Sequence, residues 1–272
     1  MGNGSAWPSQ STPVSVSGIS TATSVSAGDD HTCAVLSGGT VKCWGYGSYG
    51  QLGDGSTTST QSTPVSVSSI STATSVSAGY RHACAVLSGG TVSCWGYGSY
   101  GQLGDGSTTS TQSTPVSVSG ISTATSVSAG YDHTCAVLSS GSVKCWGDAG
   151  YGRLGNGSTW PDQSTPVSVS GISTATSVSS GTYHNCALLS GGTVKCWGYG
   201  YYGQLGNGST NRQTTPVSVS GISTATSVSM GSSSSHTCAV LTGGTIKCWG
   251  EGSYSRLGNI STSDQSTPVS VY

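Results

Sequence analysis

The side chains in this chain with the greatest capacity for chemistry recur as one cluster. In "HTCAVLSGGTVKCWG", Cys33 lies two positions after His31, and Cys43 lies directly before Trp44. Four further copies bring Cys84 with Cys94, Cys135 with Cys145, Cys186 with Cys196, and Cys238 with Cys248, which completes the ten cysteines. Three chemistries suit such a set: a zinc site, a redox centre or a structural clamp. Period-two alternation puts His31, Cys33 and Cys43 on one face of a hairpin, three of the four ligands a structural zinc needs. No fourth ligand recurs at a fixed offset. A redox pair favours C-x-x-C spacing, which the chain lacks.

The turn residues point to the clamp. Ser37, Gly38 and Gly39 suit a short hairpin loop in which glycine adopts positive φ, so Leu36 faces Thr40 and Cys33 falls opposite Cys43. Directly opposed residues in a non-hydrogen-bonded antiparallel pair lie close enough for a disulfide. The expectation is one disulfide per copy, with no metal and no cofactor. Cysteines paired in even number also fit an oxidising compartment.

The elements that hold these cysteines come from a tandem repeat. Units begin at Ser11, Ser62, Ser113, Ser164 and Thr214, with a partial unit at 266–272. Each reads as four short strands between Gly- or Ser-rich breaks, in the first unit Ala22–Ala27, His31–Leu36, Thr40–Gly45 and, after a long loop, Thr63–Val67. Helical periodicity is missing apart from a single turn near "YGQLG". Four strands per unit of this length predict an all-β propeller built as one domain over 1–272. The recurring His31, His82, His133, His184 and His236 read as structural hydrogen-bonding groups. The tryptophans beside the second cysteines read as packing between blades.

Composition narrows the function. Charged residues make up 6% of the 272 residues, the net charge is -1, and no basic cluster is present, which argues against nucleic acid. No apolar run reaches the roughly 18 residues of a membrane helix, so membrane insertion is not expected. The stretch Met1–Gln10 lacks the charged start and apolar core of an export signal. It reads as part of the array behind a start Met, which implies a mature or truncated form.

The string "ATSVSAG..HTCAVLSGGTVKCWGYGSYGQLG" resembles the repeat of the regulator of chromosome condensation (RCC1) family, and it does so five times over nearly the whole chain. Cysteine-containing versions of that repeat are similar to those of bacterial surface proteins and crinkly-type receptor ectodomains. The resemblance implies a β-propeller, commonly of seven blades, where this chain offers five.

Differences among the copies locate the candidate binding residues. The segment between the first two strands carries Tyr80 with Arg81, Tyr131 with Asp132, and Tyr183, while the long loop after "CWG" carries Trp160, Tyr201 and Arg212. Alternate connections of an up-and-down blade leave from the same end, so both sets are expected on one face. Tyr, Trp and Arg are the types that most often anchor interfaces, and loops on a rigid scaffold carry function. The nine acidic residues are scattered and form no catalytic pair, so no enzyme is expected.

The reading is an extracellular or cell-surface propeller that binds a protein or glycan through this Tyr-rich face. The alternative is a protein inhibitor of an enzyme, like a propeller that inhibits β-lactamases; a nucleotide exchange factor fits the low charge less well. One segment is surplus: Thr12–Val16, within an amino-terminal 1–17 that overlaps the last outer strand, duplicates Thr267–Val271. The expectation is a closed monomeric ring, with a strand-swapped oligomer as the other outcome.

Overall fold

The structure, a computed structural model, describes residues 2–5 and 10–272. The first blade contains β1 (Ala22–Ala27), β2 (His31–Leu36), β3 (Val41–Tyr46) and β4 (Thr60–Ser66). The second contains β5 (Ala73–Ala78), β6 (His82–Leu87), β7 (Val92–Tyr97) and β8 (Thr111–Ser117), and the third β9 (Ala124–Ala129), β10 (His133–Leu138), β11 (Val143–Gly147) and β12 (Gln163–Ser168). The fourth contains β13 (Ala175–Ser180), β14 (His184–Leu189), β15 (Val194–Gly198) and β16 (Gln213–Ser218), and the fifth β17 (Ala225–Ser229), β18 (His236–Leu241), β19 (Ile246–Gly250) and β20 (Gln265–Ser270). Each blade is a four-stranded antiparallel sheet with its strands in sequence order.

The hairpin between the second and third strands forms as its turn residues dictate. The Leu36 N–H donates to the Thr40 carbonyl at 2.9 Å, Gly39 sits at φ 79°, and Cys33 pairs with Cys43 in register. All five cysteine pairs are disulfides, with Cα atoms 4.0 to 4.1 Å apart, and no free cysteine remains. The separation matches the close approach of a non-hydrogen-bonded pair. The third strands begin at Val41 rather than Thr40 and the outer strands start earlier than the turn residues suggested, at Thr60 in the first blade. Single 3-10 turns occur at Gly150–Gly152 and Ser253–Ser255, overlapping the start of the "YGRLG" and "YSRLG" versions of the expected turn.

Blades pack through a repeated apolar seam. At the first junction Cys33, Val35, Val41, Cys43 and Leu52 of one blade meet Ala73, Val76, Ala83, Ala85 and Trp95 of the next. Three equivalent clusters join the second blade to the third, the third to the fourth and the fourth to the fifth. Small residues on one side let the partner's disulfide come close, which brings dense contact out of little apolar volume.

Among the described residues the fifth blade is not packed on the first in this way. Val25 is 66% exposed where its counterpart Val76 is 7% exposed, and Ile246 is 41% exposed where Val41 is fully buried. The two end blades touch at one rim, where Ser233 Oγ donates to Asp29 Oδ1 at 2.8 Å. No apolar seam like the other four joins these two blades among the described residues, and β20 keeps the outer place in the last blade, paired with β19. The duplicate Thr12–Val16 forms no strand and lies beside the first blade instead, where the Ser17 N–H donates to the Gly2 carbonyl at 2.8 Å. Of the Met1–Gln10 stretch, residues 1 and 6–9 lie outside the described residues.

Candidate functional site

The connections after the first and third strands of every blade leave from one end, and they bring eleven of the thirteen tyrosines into one ribbon. Tyr49 meets Tyr97 of the next blade edge-on at 5.5 Å between ring centroids, and Tyr80 stacks on Tyr131 at 3.9 Å. Arg81 ties these two groups together. Its guanidinium lies 4.4 Å from the Tyr49 ring and 4.6 Å from the Tyr80 ring, and Nη2 donates to the Tyr80 hydroxyl at 3.1 Å. Tyr131 leads on to Tyr183, which meets Tyr151, and Tyr151 meets Tyr199 at 4.9 Å beside Tyr201 and Tyr202. Edge-on and offset ring contacts follow from the ring quadrupole, and an arginine over a ring face adds a cation–π attraction.

A buried cation supports the middle of the ribbon. Arg153, 2% exposed, pairs with Asp148 at 3.3 Å, donates from Nε to the Gly150 carbonyl, and sits 4.9 Å from the Tyr183 ring. Burial lowers its pKa, and Asp148 and Asp132 oppose that shift. Burial also pushes the Asp132 carboxyl up to about 6, with Arg153 acting in the other direction. Gln102 Nε2 donates to Asp132 Oδ1 at 3.4 Å.

Charge is segregated along the molecule. All nine acidic residues and the four arginines lie in the connections at the tyrosine end, whereas Lys42, Lys144, Lys195 and Lys247 lie near the hairpin ends of the third strands. The tyrosine end is therefore anionic although the chain as a whole is nearly neutral.

Of the residues singled out by sequence, Tyr80, Arg81, Tyr131, Asp132, Tyr183 and Tyr201 come together here. Trp160 and Arg212 do not. Both are exposed in the outer part of their loops, Trp160 at 75%, and among the described residues neither shares a ring or cation contact with the tyrosines. Their loops travel outward toward the fourth strand before those positions are reached, so a shared connection does not mean a shared surface. Tyr49 and Tyr97 link adjacent blades. Sequence alone does not reveal that the Arg153 guanidinium turns inward under the rings.

The recurring histidines and the tryptophans beside the second cysteines belong to the scaffold. His82 Nε2 lies 2.8 Å from Thr134 Oγ1, His133 Nε2 2.8 Å from Asn185 Oδ1, and His184 Nε2 2.9 Å from Thr237 Oγ1, each in the following blade. Thr134 Oγ1 donates to the Gln102 carbonyl, which also accepts Trp146 Nε1 at 2.9 Å. Because the threonine proton is committed to Gln102, the His82 proton sits on Nε2. The sulfurs are bonded to one another and the imidazoles face the next blade, so the cluster that suggested zinc is a structural seam.

Five four-stranded blades in tandem with their loops gathered at one end define a repeat β-propeller. The chain belongs to the RCC1-like domain family, whose match covers residues 1–272. It is similar to the ultraviolet-B receptor UVR8 of Arabidopsis thaliana, 32% identical over 250 residues that make up 90% of this chain and 56% of that protein. It is also similar to the human E3 ubiquitin-protein ligase HERC2, 31% identical over 89% of this chain and 5% of that one. The chain thus spans about half or less of these relatives. Among solved structures, human WBSCR16 superimposes with a TM-score of 0.80 at 24% identity, over 91% of this chain and 66% of that one. Prp20p of Saccharomyces cerevisiae gives 0.75 at 20% identity, over 90% of this chain and 61% of that one. Both likenesses are of fold.

Proposed function

We propose that this chain is a non-enzymatic binding propeller, working outside the cytoplasm or at a cell surface, which contacts a protein or glycan through its tyrosine ribbon. The observation that carries this reading is the continuity of the ribbon across four blades, with Tyr100, Tyr151 and Tyr201 open to solvent. Rigid amphipathic rings provide large contact area with little conformational entropy to lose, and their hydroxyls add polar contacts. One disulfide in every blade supports an oxidising compartment.

The test is capture from extracellular protein mixtures and on a glycan array, comparing the native chain with a Tyr80→Ala, Arg81→Ala double variant. Retention of one ligand by the native chain, weakened at least about tenfold in the variant, is the expected result. Equal retention by both removes the ribbon from the reading. Should the captured ligand be a single enzyme whose activity falls on binding, the chain is an inhibitor.

A further inference from the structure

Each packed junction has two unlike sides. The outgoing side presents the disulfide with its flanking valines, and the incoming side presents small residues and a tryptophan. Polar links recur as well: Ser26 Oγ accepts the Ala78 N–H at 3.0 Å, and the Gln51 carbonyl accepts Trp95 Nε1 at 3.0 Å. Among the described residues one copy of each side lacks an apolar mate, the two end blades meeting through Ser233 and Asp29 at the rim. On the first blade Val25 stands exposed, while on the fifth Ile246 and Val271 do. Thr32 occupies the place of Thr134 and Thr237, the hydroxyls that meet a histidine of the preceding blade, and His236 is the histidine left over.

The amino-terminal segment repeats a junction contact. A Cβ on Gly2 would meet Trp44 Nε1 and Val16 Cγ1, just as one on Gly53 would meet Trp95 Nε1 and Val67 Cγ1. The Gly4 N–H donates to the Ser62 carbonyl as the Gly55 N–H does to that of Ser113. These residues therefore stand where the long loop of a preceding blade would stand. β17, β18 and β19 carry the matching outgoing face. Ser11–Val16 repeats the sequence of Ser266–Val271, which spans most of the partner strand of β19.

We infer that a second copy of this chain docks head to tail, its fifth blade against the first blade of its neighbour, with the neighbour's 11–16 segment able to take the outer-strand place beside β19. The surface is continuous with a junction the chain already builds four times, and the mating sides are of one chemistry throughout. Because the two sides are unlike, each added copy leaves one of each free, and assembly grows with concentration.

Light scattering of the native chain and of Val25→Lys and Ile246→Lys tests this, since both positions are exposed and tolerate a charge in the folded monomer. The native chain is expected to rise from monomer mass to twofold and more with concentration. Each variant alone stays monomeric, and an equimolar mixture stops at the dimer, because one good side of each kind remains. A native chain that stays monomeric at every concentration, whether open or closed on itself, overturns the inference. So does assembly that persists in either variant alone.

Discussion

His82 and Thr134, 52 residues apart in the chain, meet at 2.8 Å across the junction of the second and third blades. The bond is one step of a relay. The threonine hydroxyl donates in turn to the Gln102 carbonyl, on the histidine's side of the junction, where Trp146 also donates. Two blades are thereby stitched in both directions by neutral groups that water does not reach.

The relay is broken once, and the break predicts a gain. At the first junction the place of Thr134 is taken by Ala83, and both ring nitrogens of His31 are buried without a partner. Ala83→Thr gives Nε2 an acceptor in a position where other blades already hold Thr or Asn. An increase in unfolding free energy of about 1 kcal/mol is expected, read from the urea midpoint, and Thr134→Ala should cost about 1 to 3 kcal/mol. An unchanged midpoint for Ala83→Thr would sink the account of the relay.

Acid should loosen the blades. Burial lowers His82, His133 and His184 from 6.5 to about 3, and His31 to about 4. A folded state that holds these rings neutral binds fewer protons than the unfolded chain below 6.5. Their contribution is therefore complete above that pH and is lost as pH falls toward the folded values. Asp132 works the other way: its carboxyl, raised to about 6, gains on acidification, but it is one group against four. The urea midpoint at about pH 4.5 should lie below that at about pH 7; a flat profile would contradict the burial of the rings.

Two glycines should respond differently to the same substitution. Gly53 has φ of 70°, and a Cβ there would lie 2.8 Å from Trp95 Nε1 and 2.9 Å from Val67 Cγ1, whereas Gly38 has nothing within 4 Å. Gly53→Ala combines left-handed strain with overpacking of a rigid indole and should destabilise by about 2 to 4 kcal/mol. Gly38→Ala, at an exposed turn, should fall within about 0.5 kcal/mol of the native chain by thermal unfolding.

The disulfides are expected to be stabilising rather than reactive. Each closes a loop with a sequence separation of 10 between opposed strands. In the chain-entropy picture a Cys84→Ser, Cys94→Ser chain should lose about 2 to 3 kcal/mol. Mass measurement of the native chain under non-reducing conditions should find no free thiol, and ten free thiols would refute the clamp.

Much of this architecture was legible because it is local. Ser37–Gly39 defines a turn, the turn defines which residues face each other, and Cys33 opposite Cys43 follows within fifteen residues. The tyrosine end was legible by alternation of connections, so Tyr80, Arg81 and Tyr131 were placed together before their contacts were known. Trp160 lies apart from the ribbon, because position within a connection says nothing of how far outward the loop has travelled.

By itself the amino-acid sequence determined the unit: its length, its four strands, its disulfide and the end from which its variable loops emerge. These depend on pairing between neighbours in the chain, which turn chemistry and period-two alternation specify. Only the tertiary structure decided that Arg153 turns under the rings, that His82 finds Thr134, and that Val25 and Ile246 are left unmated. Each of those depends on the angle at which one blade wedges against the next. That angle is set by side-chain volumes on two surfaces about fifty residues apart, and a count of repeats does not contain it.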